Sequence, residues 1–194
     1  MTNRHLLNGH VLQFSGNPFT TPWQEVVRVD ENSAILIEDG RILATGDAAR
    51  RRADAGTEHH DHNGQLILPG FVDAHAHYPQ TAMIASWGKR LIDWLNTYTF
   101  PEEMRLADPT YAETIANRYL DLVLDNGTTS LASFCTIHPH SVNALFEAAE
   151  VRGMAMVAGK TCMDRNAPNG LRDSVQSAYD DSKALLIESI GRSH

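Results

Sequence analysis

Apolar and polar positions fall into two regimes along this chain. Between Val26 and about Thr45 the apolar residues come in short runs, Ala34-Ile-Leu-Ile37 and Arg41-Ile-Leu-Ala44, on either side of Glu38-Asp39-Gly40. An Asp-Gly step between two such runs predicts a tight hairpin turn, so this stretch reads as a small β region. Arg50-Arg-Arg52 through His62 is polar and irregular and reads as a connector, with His59, His60 and His62 on its surface. It leads into an apolar strand, Leu66-Ile-Leu-Pro-Gly-Phe-Val72.

The second regime starts after an unusually long connection, Tyr78 to Asp108, whose length predicts its own helix and a functional duty. Asp108-Pro109 signals a helix start, Ile115, Tyr119, Leu122 and Val123 share one face, and Asn126-Gly127 is a stop. Thr128-Thr-Ser-Leu-Ala-Ser-Phe-Cys135 follows as a strand. Ser141 then opens a helix with Val142, Leu145, Phe146 and Ala149 on one stripe, ending at Gly153. Met154-Ala-Met-Val-Ala158 is the next strand, and a last helix runs from about Leu171 towards Ile190. Strand and helix in alternation predict parallel βα units, and strands without sharp hydrophilic alternation predict a sheet covered on both faces. A doubly wound sheet and a (β/α)8 barrel both produce this pattern. No Gly-x-Gly-x-x-Gly follows the first strand, so a Rossmann nucleotide site has no support.

Composition narrows the partners. The chain has 194 residues, 42 % of them hydrophobic, which is ample for a buried core. A formal net charge of −8, from acids scattered along the chain, argues against nucleic acid or an anionic membrane and favours a small neutral or cationic ligand. The N-terminus lacks the apolar core and cleavage site of a secretory signal, and no apolar stretch approaches the roughly 20 residues that span a bilayer, so the expected compartment is the cytoplasm. Cys135 and Cys162 match neither a zinc ribbon nor a redox pair and read as small buried residues.

Candidate chemistry sits at the end of the apolar strand. Successive side chains on a strand point to opposite faces, so His75 and His77 project together while Ala76 points away. Two imidazoles so placed can hold one metal ion at roughly 2.0–2.1 Å. The carboxyl ends of parallel strands are also where α/β folds assemble their ligand sites. A second pair, His138-Pro-His140, lies past a strand beside Ser141 and reads as solvated or helix-capping. Asp73, two residues before His75, is placed to accept a hydrogen bond from a ligand imidazole and hold its tautomer. Trp94, Tyr98 and Phe100 would line or cover a flat ligand, or pack the long connection against the sheet. Asp164 and Arg165, after the third strand, read as a site-supporting ion pair or a loop brace.

Pro69-Gly-Phe-Val-Asp-Ala-His-Ala-His77 closely resembles the first-strand motif of the amidohydrolase superfamily. Six further segments are similar to its guanine deaminase family: His77-Tyr-Pro-Gln80, Asp93-Trp-Leu95, Tyr98-Thr-Phe-Pro-Glu102, Asn126-Gly-Thr-Thr129, Phe146-Glu-Ala-Ala149 and Met163-Asp-Arg-Asn-Ala-Pro168. The resemblance runs from about residue 5 to about residue 188. It implies a metal-dependent (β/α)8 barrel beside a small β-sandwich, with residues 1–65 as the N-terminal sandwich segment and 66–194 as about the first three βα units. It implies one Zn2+ per site held first by His75 and His77, although imidazole also suits iron. It further implies a purine substrate, guanine, bound by His77, Gln80 and Trp94 and hydrolysed to xanthine and ammonia, and a homodimer for the intact enzyme. The family's other ligands, two histidines and an aspartate, and its catalytic glutamate map beyond residue 194, so no catalytic residue carries over. His194 is a poor substitute ligand at a frayed terminus.

About 130 positions from Leu66 onward, against the roughly 250 of a complete barrel, predict a fragment that is inactive alone. Its final residues also depart from the family's pattern. The rival expectations are another deaminase or a chlorohydrolase of the same superfamily, and a barrel remnant without catalysis.

Overall fold

In a computed structural model describing residues 3–88 and 90–190, the chain separates between Pro69 and Gly70 into two units. The first is a four-stranded sheet. β1 (Arg4–Phe14) is followed by a short helix, α1 (Trp23–Val26), then by β2 (Val27–Glu38) and β3 (Arg41–Thr45). A second short helix, α2 (Asp47–Arg52), leads to β4 (Glu58–Ile67). The strand order is β3-β2-β1-β4. The Asp39-Gly40 turn is as predicted: Glu38 pairs with Arg41, and both turn residues take positive φ, 47° and 77°. That is the hairpin geometry whose twist matches the flanking strands. Leu6, Ala34 and Leu36 pack with Ala49 of α2, and the two alanines let the helix lie close to the sheet.

Two expectations change here. The polar connector is half strand: β4 runs parallel to β1, with His5 opposite Glu58 and Leu7 opposite His60. Backbone pairing carries this strand, so its Glu-His-His-Asp-His sequence offered no apolar signal. The apolar run Leu66–Val72 is not one strand, since β4 ends at Ile67 and β5 (Phe71–His77) begins in the second unit. Pro69 cannot donate to a ladder. A Cβ on Gly70 would stand 2.1 Å from Thr129 Oγ1, so only glycine fits that approach.

The second unit carries β5, β6 (Thr128–Phe134) and β7 (Ala155–Gly159), all parallel and in that order. Between β5 and β6 come α3 (Leu91–Trp94), a wide turn at Leu95–Thr99, α4 (Phe100–Arg105) and α5 (Pro109–Asp125). α6 (Pro139–Val151) joins β6 to β7, and α7 (Val175–Ile190) follows. Asp108 caps α5 by accepting the Thr110 N–H at 3.0 Å. Ile115, Ala116, Tyr119 and Leu120 are buried on α5, whereas Leu122 is exposed. α6 opens at Pro139 rather than Ser141, and α7 at Val175 rather than Leu171, which is itself buried in a short 3-10 turn.

The core of this unit gathers Tyr78, Leu106, Ile115, Leu120, Leu131 and Leu145. The expectation of a sheet covered on both faces is half right. Ala76, Leu131 and Met156 pack into the core with α5 and α6, but on the opposite face Phe134 is 45 % exposed and Val157 72 %. Of the cysteines, Cys135 is buried, with its thiol pushed up to about 12 by burial, and Cys162 is exposed, contrary to expectation. Among the described residues no helix is long and apolar enough to cross a membrane.

Candidate active site

β5 ends with its two histidines on the uncovered face. Ala76 pairs with Ser133 and His77 with Phe134, so the alternation of the strand leaves Ala76 buried and both imidazoles exposed. Their ring centroids are 5.2 Å apart with planes at 70°. An ion about 2.0–2.1 Å from one nitrogen of each ring, at a near-tetrahedral angle, sets imidazole centroids roughly 5 Å apart. The pair therefore fits a metal. Among the described residues no third histidine, cysteine, aspartate or glutamate completes a ligand group with it, and His194 lies outside the described residues.

Sequence reasoning missed the group that orients the pair. Phe134, at the end of β6, stacks on His77 with centroids 4.9 Å apart and meets His75 edge-on at 5.5 Å. The period-2 pattern of β6 puts Phe134 on the uncovered face, a signal readable only once the register with β5 is known. Desolvation first, and the neighbouring His75 second, lower the His77 imidazole below its ordinary range. A neutral imidazole keeps its lone pair for a metal at neutral pH.

Behind the pair, Tyr78 is fully buried. Its hydroxyl donates to the Ser141 carbonyl at 2.6 Å and its backbone N–H to Ser133 Oγ at 3.2 Å. The residue after His77 is thus tied to both β6 and α6. Asp73 differs from expectation: its Oδ1 accepts the main-chain N–H of His75 at 3.0 Å, not a ring N–H. The carboxylate braces the strand rather than a tautomer.

A cavity of about 390 Å3 opens beside the pair, lined by His75, His77, Gln80, Met83, Trp94 and Tyr119. Trp94 is held by its indole N–H donating to the Ser86 carbonyl at 3.3 Å, and Gly88 lies so close that a Cβ there would stand 2.7 Å from Trp94 Cβ. Tyr98 and Phe100 do not line this cavity. Tyr119 stays a neutral phenol, pushed up to about 12 by burial and then by the Asp73 charge.

Gln80 donates one amide hydrogen to Glu103 Oε1 at 3.2 Å, leaving its carbonyl and second N–H for a ligand. Glu103 is 7 % exposed, and burial pushes its carboxyl above the usual range, partly offset by the Gln80 hydrogen bond. A raised carboxyl means that the folded state holds the proton more tightly than the unfolded chain. The stability it contributes is full below the ordinary glutamate pKa of about 4.3 and is lost as pH rises through the folded value. Glu103→Gln removes this loss, so the variant is expected to melt above the parent at pH 7, with the gap closing near pH 4. Thermal melts at both values check it; equal melting at pH 7 would refute it.

The second histidine pair has other duties. His140 Nε2 lies 2.7 Å from the Leu106 carbonyl, tying α6 to the turn after α4, and His138 stacks on it at 5.5 Å. Both rings are half-buried rather than solvated, and His138 stands at the N-cap of α6 without a side-chain cap bond, so the capping expectation holds in position only. Asp164 and Arg165 pair with each other at 3.1 Å on the exposed surface.

The sequence profile of the amidohydrolase family matches residues 66–193. The guanine deaminase of Escherichia coli (strain K12) is 43 % identical over 162 residues, covering 82 % of this chain and 37 % of that protein. The solved E. coli guanine deaminase superposes with a TM-score of 0.87 over 95 % of this chain and 43 % of its own, at 38 % identity. A guanine deaminase from C. acetobutylicum, solved with bound guanine in the active site, is 27 % identical with a TM-score of 0.78, covering 96 % and 43 % of the two chains. An atrazine chlorohydrolase from Arthrobacter aurescens TC1, solved complexed with zinc, shares the fold at 22 % identity and a TM-score of 0.74, over 95 % and 43 %. The chain thus spans about two fifths of the length of the relatives it matches.

Proposed function

The chain belongs to the amidohydrolase family, and we propose that it is the part of a guanine deaminase that carries the first two metal ligands and one wall of the purine pocket. The observation that carries this reading is the convergence of His75 and His77 on the uncovered sheet face, beside a cavity lined by Gln80 and Trp94. Strand order following chain order, with α5 and α6 on one face, supports the first three staves of a (β/α)8 barrel rather than a doubly wound sheet. Residues 1–65 would then supply the N-terminal part of its companion β-sandwich. The reaction is guanine plus water to xanthine plus ammonia, and the intact enzyme is taken as a homodimer.

His75 and His77 would hold the ion, taken as zinc, which two imidazoles suit. When bound, it makes hydroxide available from water near neutral pH. The chain's own residues supply position. Asp73 and Tyr78 fix the strand end that bears the ligands. Gln80, steadied by Glu103, offers a carbonyl acceptor and an N–H donor to the lactam edge of a purine, and the Trp94 ring supplies a flat apolar wall. His77 would touch both ion and substrate. Among the described residues no third ligand joins His75 and His77, so no turnover is expected from the 194 residues alone.

The test joins residues 1–188 to the remaining part of the E. coli enzyme, giving an extended protein, and assays ammonia release from guanine and chloride release from chlorotriazines. Turnover of guanine with xanthine as product is expected. Turnover of triazines without guanine would favour a chlorohydrolase instead. No turnover of either by a folded, zinc-loaded protein would favour a non-catalytic remnant.

A further inference from the structure

We propose that His5, Glu58 and His60 form a second divalent-metal site, on the four-stranded sheet, suited to a cation of the zinc, cobalt or nickel class. Glu58 and His60 stand two apart on β4 and therefore share a face, as His75 and His77 do on β5. The parallel register brings His5 of β1 opposite Glu58, onto that same face. His5 Nδ1 is 2.9 Å from His60 Nε2 and 3.5 Å from Glu58 Oε2, and His60 Nε2 is 3.6 Å from Glu58 Oε1.

Three ligand atoms held tetrahedrally by one ion at 2.0–2.1 Å lie about 3.3 Å from one another. The two nitrogens stand 2.9 Å apart, and the carboxylate turns Oε2 to one and Oε1 to the other at 3.5 and 3.6 Å, all close to that value. The imidazole centroids are 5.2 Å apart, the same separation as in the His75–His77 pair. Among the described residues this is the group of three histidine, cysteine or acidic side chains whose ligand atoms all lie within 4.8 Å of one another.

Charge and access agree. Two imidazoles and one carboxylate present a net negative charge to a cation. Among the described residues no lysine or arginine pairs with Glu58, and Arg4 beside it in the sheet is committed to Glu38 and Asp54 at 2.6 and 2.7 Å. Imidazole nitrogen with one carboxylate selects transition metals over calcium or magnesium, which prefer oxygen. The rings are half-buried and Glu58 is exposed, so an ion can enter without unfolding the sheet, and three protein ligands leave a coordination position open.

Cobalt(II) is the probe, because its visible absorption intensifies when the ion leaves octahedral water for a four-coordinate site. It is titrated into the 194-residue chain carrying His75→Ala and His77→Ala, and into the extended protein with the same two changes, so that β5 contributes nothing. One equivalent is expected to bind and to raise the melting temperature. His60→Gln and Glu58→Gln should each weaken binding by about tenfold or more, while His59→Gln, on the opposite face, leaves it unchanged. Absence of binding in both backgrounds would reduce the cluster to a hydrogen-bonded histidine pair and overturn the proposal. Equal losses from His59→Gln and His60→Gln would also overturn it, since that pattern marks a histidine-rich segment rather than a built site.

Discussion

Replacing His75 and His77 together by alanine is expected to remove the metal from the β5 end and to abolish guanine turnover in the extended protein. Both rings stand on the exposed face, so the substitution takes little from the core and the fold should survive. Metal assistance lowers the barrier to hydrolysis by several kcal/mol, which at 1.36 kcal/mol per decade is about a thousandfold in rate or more. Each single change to alanine should weaken metal binding, because each removes one of the two rings that meet there. Zinc stoichiometry, expected to fall by one equivalent, and an ammonia assay on the same preparations decide the matter. Unchanged zinc stoichiometry with retained turnover in the double variant would dismantle the site described at the end of β5.

Tyr78→Ala is expected to have the largest effect on stability, about 3–5 kcal/mol, the usual range when a large buried aromatic ring is cut back to alanine. The ring is fully buried in the main core of the second unit, and its hydroxyl and backbone N–H join β5 to α6 and β6. Tyr78→Phe keeps the packing and loses only the bond to Ser141, for about 1 kcal/mol. The Ser141 carbonyl belongs to α6 and is positioned to keep its helical partner, which limits that cost. Urea denaturation of the three proteins separates packing from hydrogen bonding. Tyr78 also directly follows His77, the second proposed ligand, so the alanine variant should hold metal more weakly even where it remains folded. A Tyr78→Ala protein with the parent's urea midpoint would show that this ring does not anchor the strand.

The same two strands show how far local patterns carry. The hairpin at Asp39-Gly40, the α5 start at Asp108-Pro109, the parallel βα alternation and the shared face of His75 and His77 all follow from backbone preference and periodicity, which act within a few residues. β4 was not legible, because its polar side chains give no burial signal and its strand character comes from pairing with β1, some fifty residues earlier. Nor was the break at Gly70, which depends on Thr129 across the sheet.

By itself, then, the order of residues determined which segments are helix or strand where periodicity is strong, and which imidazoles can act in concert along one strand. Register and packing decided the remainder. Phe134 reaches His77, Glu103 steadies Gln80, and His5 meets Glu58 and His60, each across tens of residues. Such contacts form only when distant segments come together, the strands among them about 5 Å apart, and no local periodicity encodes which segments those will be.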